Sequence, residues 1–288
     1  VNRPLLDGVR AAAADPRGLV AGAFTATVAL AAVAVLAVLL VTYLIGRRVG
    51  RHSVIDTAWG LLFCAVALVA FSRSAGYGDG GRRLLLLAMT LLWGIRLAVR
   101  IGRRSVGKGE DPRYAALLRD RGTLQTLALV YGLQGVLVLL VAAPVLVGSY
   151  EDGSLGWLAG LGALVWAVGL LFEAVGDWQL DRYQRDKAAG VDVGQVLDSG
   201  LWRYTRHPNY FGDACVWLGI FCVSAERWPG VLTVFAPVIM VYLLAFGSGK
   251  RVLERSMAGR PGYRDYMART SGFVPWPPRH ARRADRDD

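Results

Sequence analysis

Residues Trp202 to Asp213 read W-R-Y-T-R-H-P-N-Y-F-G-D, bringing two arginines (Arg203, Arg206), a histidine (His207), an amide (Asn209), two phenols (Tyr204, Tyr210) and a carboxylate (Asp213) into one short stretch. The stretch lies where a polar segment enters an apolar run, and Pro208 suits a first helical turn. Charged and hydrogen-bonding groups at a helix start are suited to an anionic ligand. The same residue types also anchor helices at headgroup depth, a role that fits Trp202, Arg203 and Tyr204 equally well. Arg206, His207, Asn209 and Tyr210 packed together point to a site.

Four other constellations carry polar chemistry. Glu173, Asp177 and Asp181 recur at i, i+4 and i+8, so a continuous helix places three carboxylates on one face. Such a row either accepts from ligand hydroxyls and amides or pairs with a buried base such as Arg96. Asp56, in D-T-A-W-G, and Arg96, in W-G-I-R-L, are charges inside apolar runs, poised to pair with each other or to take part in catalysis. Asp111, Arg113 and Tyr114 lie in an arginine-rich loop that reads as a positive surface near headgroups. Lys250, Arg251 and Glu254, followed by Arg260, Tyr263, Arg264 and Tyr266, suit either anionic lipid or a phosphate-bearing nucleotide. No dinucleotide-binding glycine fingerprint, Walker loop, H-E-x-x-H or G-x-S-x-G is present, so any nucleotide is held by a helical scaffold.

The elements that must position these groups are membrane helices. With 54% hydrophobic and only 19% charged residues, 288 residues lack the polar surface of a soluble domain. Seven apolar runs are expected to span a bilayer: 19–45, 54–71, 83–101, 124–148, 155–176, 210–225 and 230–247. The first is too long for a secretory signal and ends in Arg47 and Arg48. The fold class expected is therefore an all-α polytopic bundle, with an N-terminal segment 1–18, a membrane domain 19–278 and a charged tail 279–288. With the N-terminus outside, loops on the inner side carry 24 Lys and Arg against 7 on the outer. The C-terminus and the long polar segments are accordingly expected in the cytoplasm. Basic residues collect at span ends and form no aromatic-interleaved stripe, so nucleic acid is not an expected partner. Cys64, Cys215 and Cys222 all fall in apolar runs with no metal-ligand spacing, and no metal site is expected.

The order of short motifs is similar to one family. S-V-I-D-T-A-W-G (53–60), W-G-I-R-L (93–97), E-D-P-R-Y (110–114), F-E-A-V-G-D-W-Q-L (172–180), G-L-W-R-Y-T-R-H-P-N-Y-F-G-D (200–213), S-G-K-R-V-L-E (248–254) and Y-R-D-Y followed by S-G-F-V-P (263–275) resemble the DUF1295 branch of the membrane reductase and methyltransferase superfamily, related to steroid 5-alpha-reductases and sterol reductases. The resemblance implies a seven-helix fold binding NADPH, with Glu173, Asp177, Arg206, His207, Asn209, Tyr210, Asp213, Arg260 and Tyr263 as cofactor contacts. It implies hydride transfer to a carbon-carbon double bond conjugated to a carbonyl in a lipid-soluble, steroid-like or other unsaturated substrate drawn from the bilayer of a bacterial plasma membrane. Asp56, Arg96 and Tyr114 are the expected catalytic groups. In steroid reductases a second-span Glu and a third-span Tyr polarise the carbonyl; here Asp56 matches the Glu, but Trp93 stands where that Tyr is expected, leaving the proton donor open. Asp213 replaces the usual Glu and keeps its charge. Two other functions compete: an S-adenosylmethionine-dependent methyltransferase of an isoprenoid or phospholipid, and a non-catalytic lipid-binding protein.

Overall fold

The computed structural model describes residues 16–247 and 249–279. Most of the expected N-terminal segment, and the tail beyond Arg279, lie outside them. The helices are α1 (Pro16–Val49), α2 (Val54–Arg73), α3 (Gly80–Ser105), α4 (Pro112–Leu118), α5 (Thr123–Val141), α6 (Ala143–Gly148), α7 (Trp157–Ala188), α8 (Pro208–Ala225), α9 (Phe235–Ala245), α10 (Lys250–Met257) and α11 (Tyr263–Arg269). Among the described residues there is no strand, only an isolated parallel bridge between Thr205 and Ser271. The protein is thus an all-α polytopic membrane protein.

Among the described residues, six stretches are long and apolar enough to cross a membrane: Arg17–Val49, Val54–Arg73, Gly80–Ser105, Thr123–Val141, Trp157–Ala188 and Gly230–Met257. The run expected at 210–225 is helix α8, whose first turns carry Asn209 and Asp213, and it is not among these six. The expected 124–148 span is broken at Ala142, because Pro144 removes a helical donor and restricts the residue before it. The expected 155–176 span continues to Ala188. Nothing in D-W-Q-L-D-R-Y-Q-R-D-K breaks a helix, and the turn comes only at Gly190 with φ 78°. Loss of apolarity at Gly176 marks a change of surroundings and not a helix end.

The residues separate into two compact units, one from Val1–Gly162 and Ile220–Ala236, the other from Ala163–Gly219 and Pro237–Asp288. In the first unit, α2 and α3 meet backbone to backbone. A Cβ on Gly94 would lie 2.6 Å from the Gly60 oxygen and 2.7 Å from Cys64 Sγ, so two W-G pairs let the helices touch. Trp93 is fully buried there and packs edge-on to Phe63, which does the same with Trp59. Glu110 caps the start of α2: its carboxylate accepts from the backbone N–H of His52 and of Ser53 and from that of Asp111. Burial opposes its ionisation, but these amides hold Glu110 below the usual carboxylate range.

At the other end of α2 and α3 lies a charge cluster that the apolar patterning hides. Arg82, fully buried, pairs with Glu226 at 3.1 Å and Glu151 at 3.5 Å and donates to the carbonyls of Val223, Gly153 and Ser154. Glu226 also accepts from Gly156 N and Ala159 N. One guanidinium thereby ties the first turn of α3 to two loops. Removing one partner of a buried charge cluster costs about 3–5 kcal/mol, so Arg82→Met is expected to lower stability by that order in detergent, read by thermal unfolding.

Burial pushes Glu151 up to about 7, against the pull of Arg82. Between its ordinary value of 4.5 and about 7 the folded state holds a proton that the unfolded state releases, so this group's contribution to stability falls as pH rises through that window. Glu151→Gln is therefore expected to raise the melting temperature relative to wild type at about pH 8, with the difference gone by about pH 5.

Candidate functional site

In the first unit, Asp56 sits in the first turn of α2, and α4 brings two groups to it from 57 and 58 positions away. Tyr114 Oη donates to Asp56 Oδ1 at 2.5 Å, and Arg113 Nη2 donates to Oδ2 at 3.1 Å. The start of α4 is set locally. Asp111 caps it by accepting from Arg113 N at 2.8 Å, Pro112 stands in the first turn, and Asp111 Oδ1 also takes Arg113 Nε at 3.0 Å. Burial first, then the charge and hydrogen bond of Asp56, pushes the Tyr114 phenol well above its ordinary range. It is a hydrogen-bond donor at any working pH.

This arrangement corrects one expectation. The loop 110–114, read as a positive surface near headgroups, supplies two partners of Asp56, for which pairing with Arg96 and a part in catalysis both stood open. Trp93, which stands where the resemblance led a Tyr to be expected, is fully buried against Phe63, and the phenol that meets Asp56 is that of Tyr114. Arg96 lies half-buried on α3, two positions beyond the Gly94 contact.

In the second unit, the acidic row forms as expected on one continuous helix, with Glu173 and Asp177 buried and Asp181 half-buried. Glycines bring α7 and α8 together. A Cβ on Gly169 would fall 2.5 Å from the Gly212 oxygen, one on Gly212 would fall 2.6 Å from Glu173 N, and one on Gly176 would meet the Pro208 ring at 3.0 Å. Glu173 lies between these contacts on the α7 face that meets α8, close to where Pro208 and Asn209 begin the helix.

The loop before α8 is fastened on both sides. Leu201 N donates to Gln179 Oε1 at 3.0 Å and Trp202 Nε1 to the Gly176 carbonyl at 3.0 Å, both on α7. Tyr266 Oη donates to the Trp202 carbonyl at 2.6 Å, Thr205 Oγ1 to that of Phe273 at 2.8 Å, and Arg206 N to that of Ser271 at 2.9 Å. Gly200, at φ 59° and packed on Gln179, admits no side chain.

Arg206 is a structural hub. Its Nε donates to Glu254 Oε1 at 2.8 Å, and Nη1 donates to the carbonyls of Met267 and Thr270 at 3.0 and 2.5 Å. Its Nη2 lies 2.8 Å from the same Glu254 oxygen. The guanidinium binds the chain itself and so positions residues 254–271. His207 is buried, with Nε2 at 3.2 Å from Glu254 Oε1 and its ring parallel to that of Tyr210, centroids 5.2 Å apart. Burial is the main reason its pKa lies below the usual histidine value, with Arg206 and Lys250 adding to the effect against Glu254.

Of the other residues expected to meet a cofactor, Asp213 and Tyr263 are buried, Asn209 and Tyr210 are half-buried, and Arg260 is exposed on the turn between α10 and α11. Sequence reasoning left Glu254 out of the site, placing it in a basic cluster with Lys250 and Arg251. Its signal was an acidic residue one turn after Lys250. Arg206→Ala removes several hydrogen bonds from a charged group, each worth about 1.5–3 kcal/mol. Amide hydrogen exchange across 263–276 is therefore expected to accelerate by more than about tenfold, and Arg260→Ala to leave it unchanged.

The helices and these two clusters define a polytopic membrane protein with ionisable groups organised inside helical units. The family model described as "Protein of unknown function (DUF1295)" matches residues 42–270, and the chain belongs to that family. An uncharacterised protein of Schizosaccharomyces pombe is 24% identical over 270 residues, covering 82% of this chain and 78% of that protein. The steroid 5-alpha-reductase DET2 of Arabidopsis thaliana is 32% identical over 85 residues, 29% of this chain and 30% of that enzyme. No solved structure matches with significance. The chain is thus related to steroid reductases.

Proposed function

We propose that this protein is an NADPH-dependent reductase of a carbon-carbon double bond conjugated to a carbonyl, acting on a lipid-soluble substrate from the bilayer. The observation that carries the reading is the 2.5 Å hydrogen bond from Tyr114 to Asp56, in a chain related to a steroid reductase. The residues of the second unit fit a nucleotide in part. His207 Nδ1 is a buried acceptor with no hydrogen-bond partner among the described residues, and the 18-residue helix α8 starts beside it with Pro208 and Asn209. Arg206 is poorly placed as a phosphate ligand, because its Nε and Nη1 donate to the chain and its Nη2 lies against Glu254. When bound, the dihydronicotinamide supplies a hydride.

The phenol of Tyr114 holds a proton at Oη and presents it to a carbonyl oxygen, stabilising the negative charge that gathers there as the double bond is reduced. A carbonyl arriving at Oη competes with Asp56 for the phenolic hydrogen. Arg113, paired with the second carboxylate oxygen, keeps Asp56 satisfied when the phenol turns away. A lipid substrate suits a carboxylate and phenol held at the start of a membrane helix, and the surplus of basic residues on one side supports a cytoplasmic cofactor site.

Thermal-shift titration of detergent-solubilised protein with NADPH, NADH and S-adenosylmethionine tests the cofactor. At 100-fold the dissociation constant a ligand stabilises by about 2.7 kcal/mol, and only the nicotinamides are expected to do so. A shift with S-adenosylmethionine and none with NADPH contradicts the reading. Tyr114→Phe is expected to lower kcat by about 10²–10³ while NADPH affinity is kept, as for the loss of one oxyanion donor. Equal turnover in the variant and the wild type removes Tyr114 from the chemistry.

A further inference from the structure

A single oxygen, Oε1 of Glu254, meets Arg206 Nε at 2.8 Å, Arg206 Nη2 at 2.8 Å and His207 Nε2 at 3.2 Å. The side chains of His207 and Glu254 are 2% and 13% exposed. One guanidinium N–H donated to this carboxylate oxygen, with a second guanidinium nitrogen at ion-pair distance, holds Glu254 ionised, and an ionised carboxylate only accepts. The hydrogen between Glu254 and His207 therefore resides on Nε2. A neutral imidazole carries one N–H, which leaves Nδ1 with its lone pair bare. The ring is also held in place by its stack on Tyr210 and by donation from its own backbone N–H to Thr205 Oγ1 at 3.2 Å. Nδ1 is buried without a hydrogen-bond partner among the described residues, and an acceptor left so bears an uncompensated desolvation cost. A ligand donor relieves that cost.

We infer that Glu254 is a positioning residue that fixes the Nε2–H tautomer of His207, so that Nδ1 accepts a hydrogen bond from an N–H of the bound nucleotide, a carboxamide or an exocyclic amino group. This rests on the proposed cofactor. It makes His207, expected only as a cofactor contact, a neutral acceptor that repels phosphate and carbonyl oxygens. Glu254 thus selects the chemical class of group that His207 recognises.

The chain has three histidines, so nitrogen-15 labelling of histidine gives three ring systems, and His207→Asn identifies the one from His207. In the wild-type protein without ligand, NMR is expected to show Nε2 protonated and Nδ1 bare. Saturation with NADP+ is expected to move the Nδ1 resonance upfield, as acceptance of a hydrogen bond does. Glu254→Gln is expected to mix the tautomers and weaken NADP+ binding by about tenfold, about 1.4 kcal/mol, with Glu254→Asp recovering part of the affinity. A protonated Nδ1 in the ligand-free wild type overturns the inference, as does an unmoved Nδ1 resonance in protein saturated with NADP+. Failure of the wild type to bind NADP+ is a different outcome: it removes the cofactor reading and the ligand half of this inference, while the ligand-free tautomer still decides the part of Glu254. That tautomer is read in the wild type and does not depend on the folding of any variant.

Discussion

Charge placed among apolar helices persists only where a partner is held against it, and that constraint organises each unit of this protein. In the second unit, the carboxylate of Glu254 answers Arg206 and His207 together. Through Arg206 it fastens the segment around α11 to the loop that enters α8. In the first unit, Arg82 answers two glutamates at one end of α2 and α3, and Asp56 is answered by Tyr114 and Arg113 at the other. The three clusters differ in what they leave over. Arg82 is surrounded by acceptors and serves the fold. Asp56 and His207 each keep a group that a ligand can address: the phenol hydrogen drawn to Asp56, and the bare nitrogen of His207.

Small residues make these partnerships possible. Gly60 and Gly94 let α2 and α3 touch, which buries Trp93 and leaves Asp56 one turn from the contact. Gly169, Gly176 and Gly212 do the same for α7 and α8, setting Glu173 beside the start of α8. Without a strong hydrophobic drive between helices in lipid, close backbone approach is what packs them. The glycines inside the motifs A-W-G, W-G-I-R and F-E-A-V-G-D are therefore as much part of each site as its charges.

The sequence reading captured the apolar helices well, because a run of about 20 apolar residues has few other fates. It also captured the face shared by Glu173, Asp177 and Asp181, since helical periodicity is local. What it missed depends on distance along the chain. Arg82 meets carboxylates 69 and 144 positions away, and Glu254 meets His207 across 47; no local pattern encodes such pairs. For the same reason Tyr114 was among the expected catalytic groups without its contact to Asp56, which appears only where the fold brings α4 to the start of α2. Arg206 was legible as important but not in its role, because residue type alone does not distinguish an arginine that binds phosphate from one that binds its own backbone.

The central claim is hydride transfer from NADPH to a conjugated double bond in a lipid-soluble substrate. The most direct measurement uses wild-type protein in lipid nanodiscs, NADPH doubly deuterated at the hydride-bearing ring carbon, and a panel of steroid and linear isoprenoid enones, with products read by mass spectrometry. The account predicts a saturated ketone carrying one deuterium at the carbon β to the carbonyl. Bound NADPH that transfers no deuterium to any enone in the panel would contradict it.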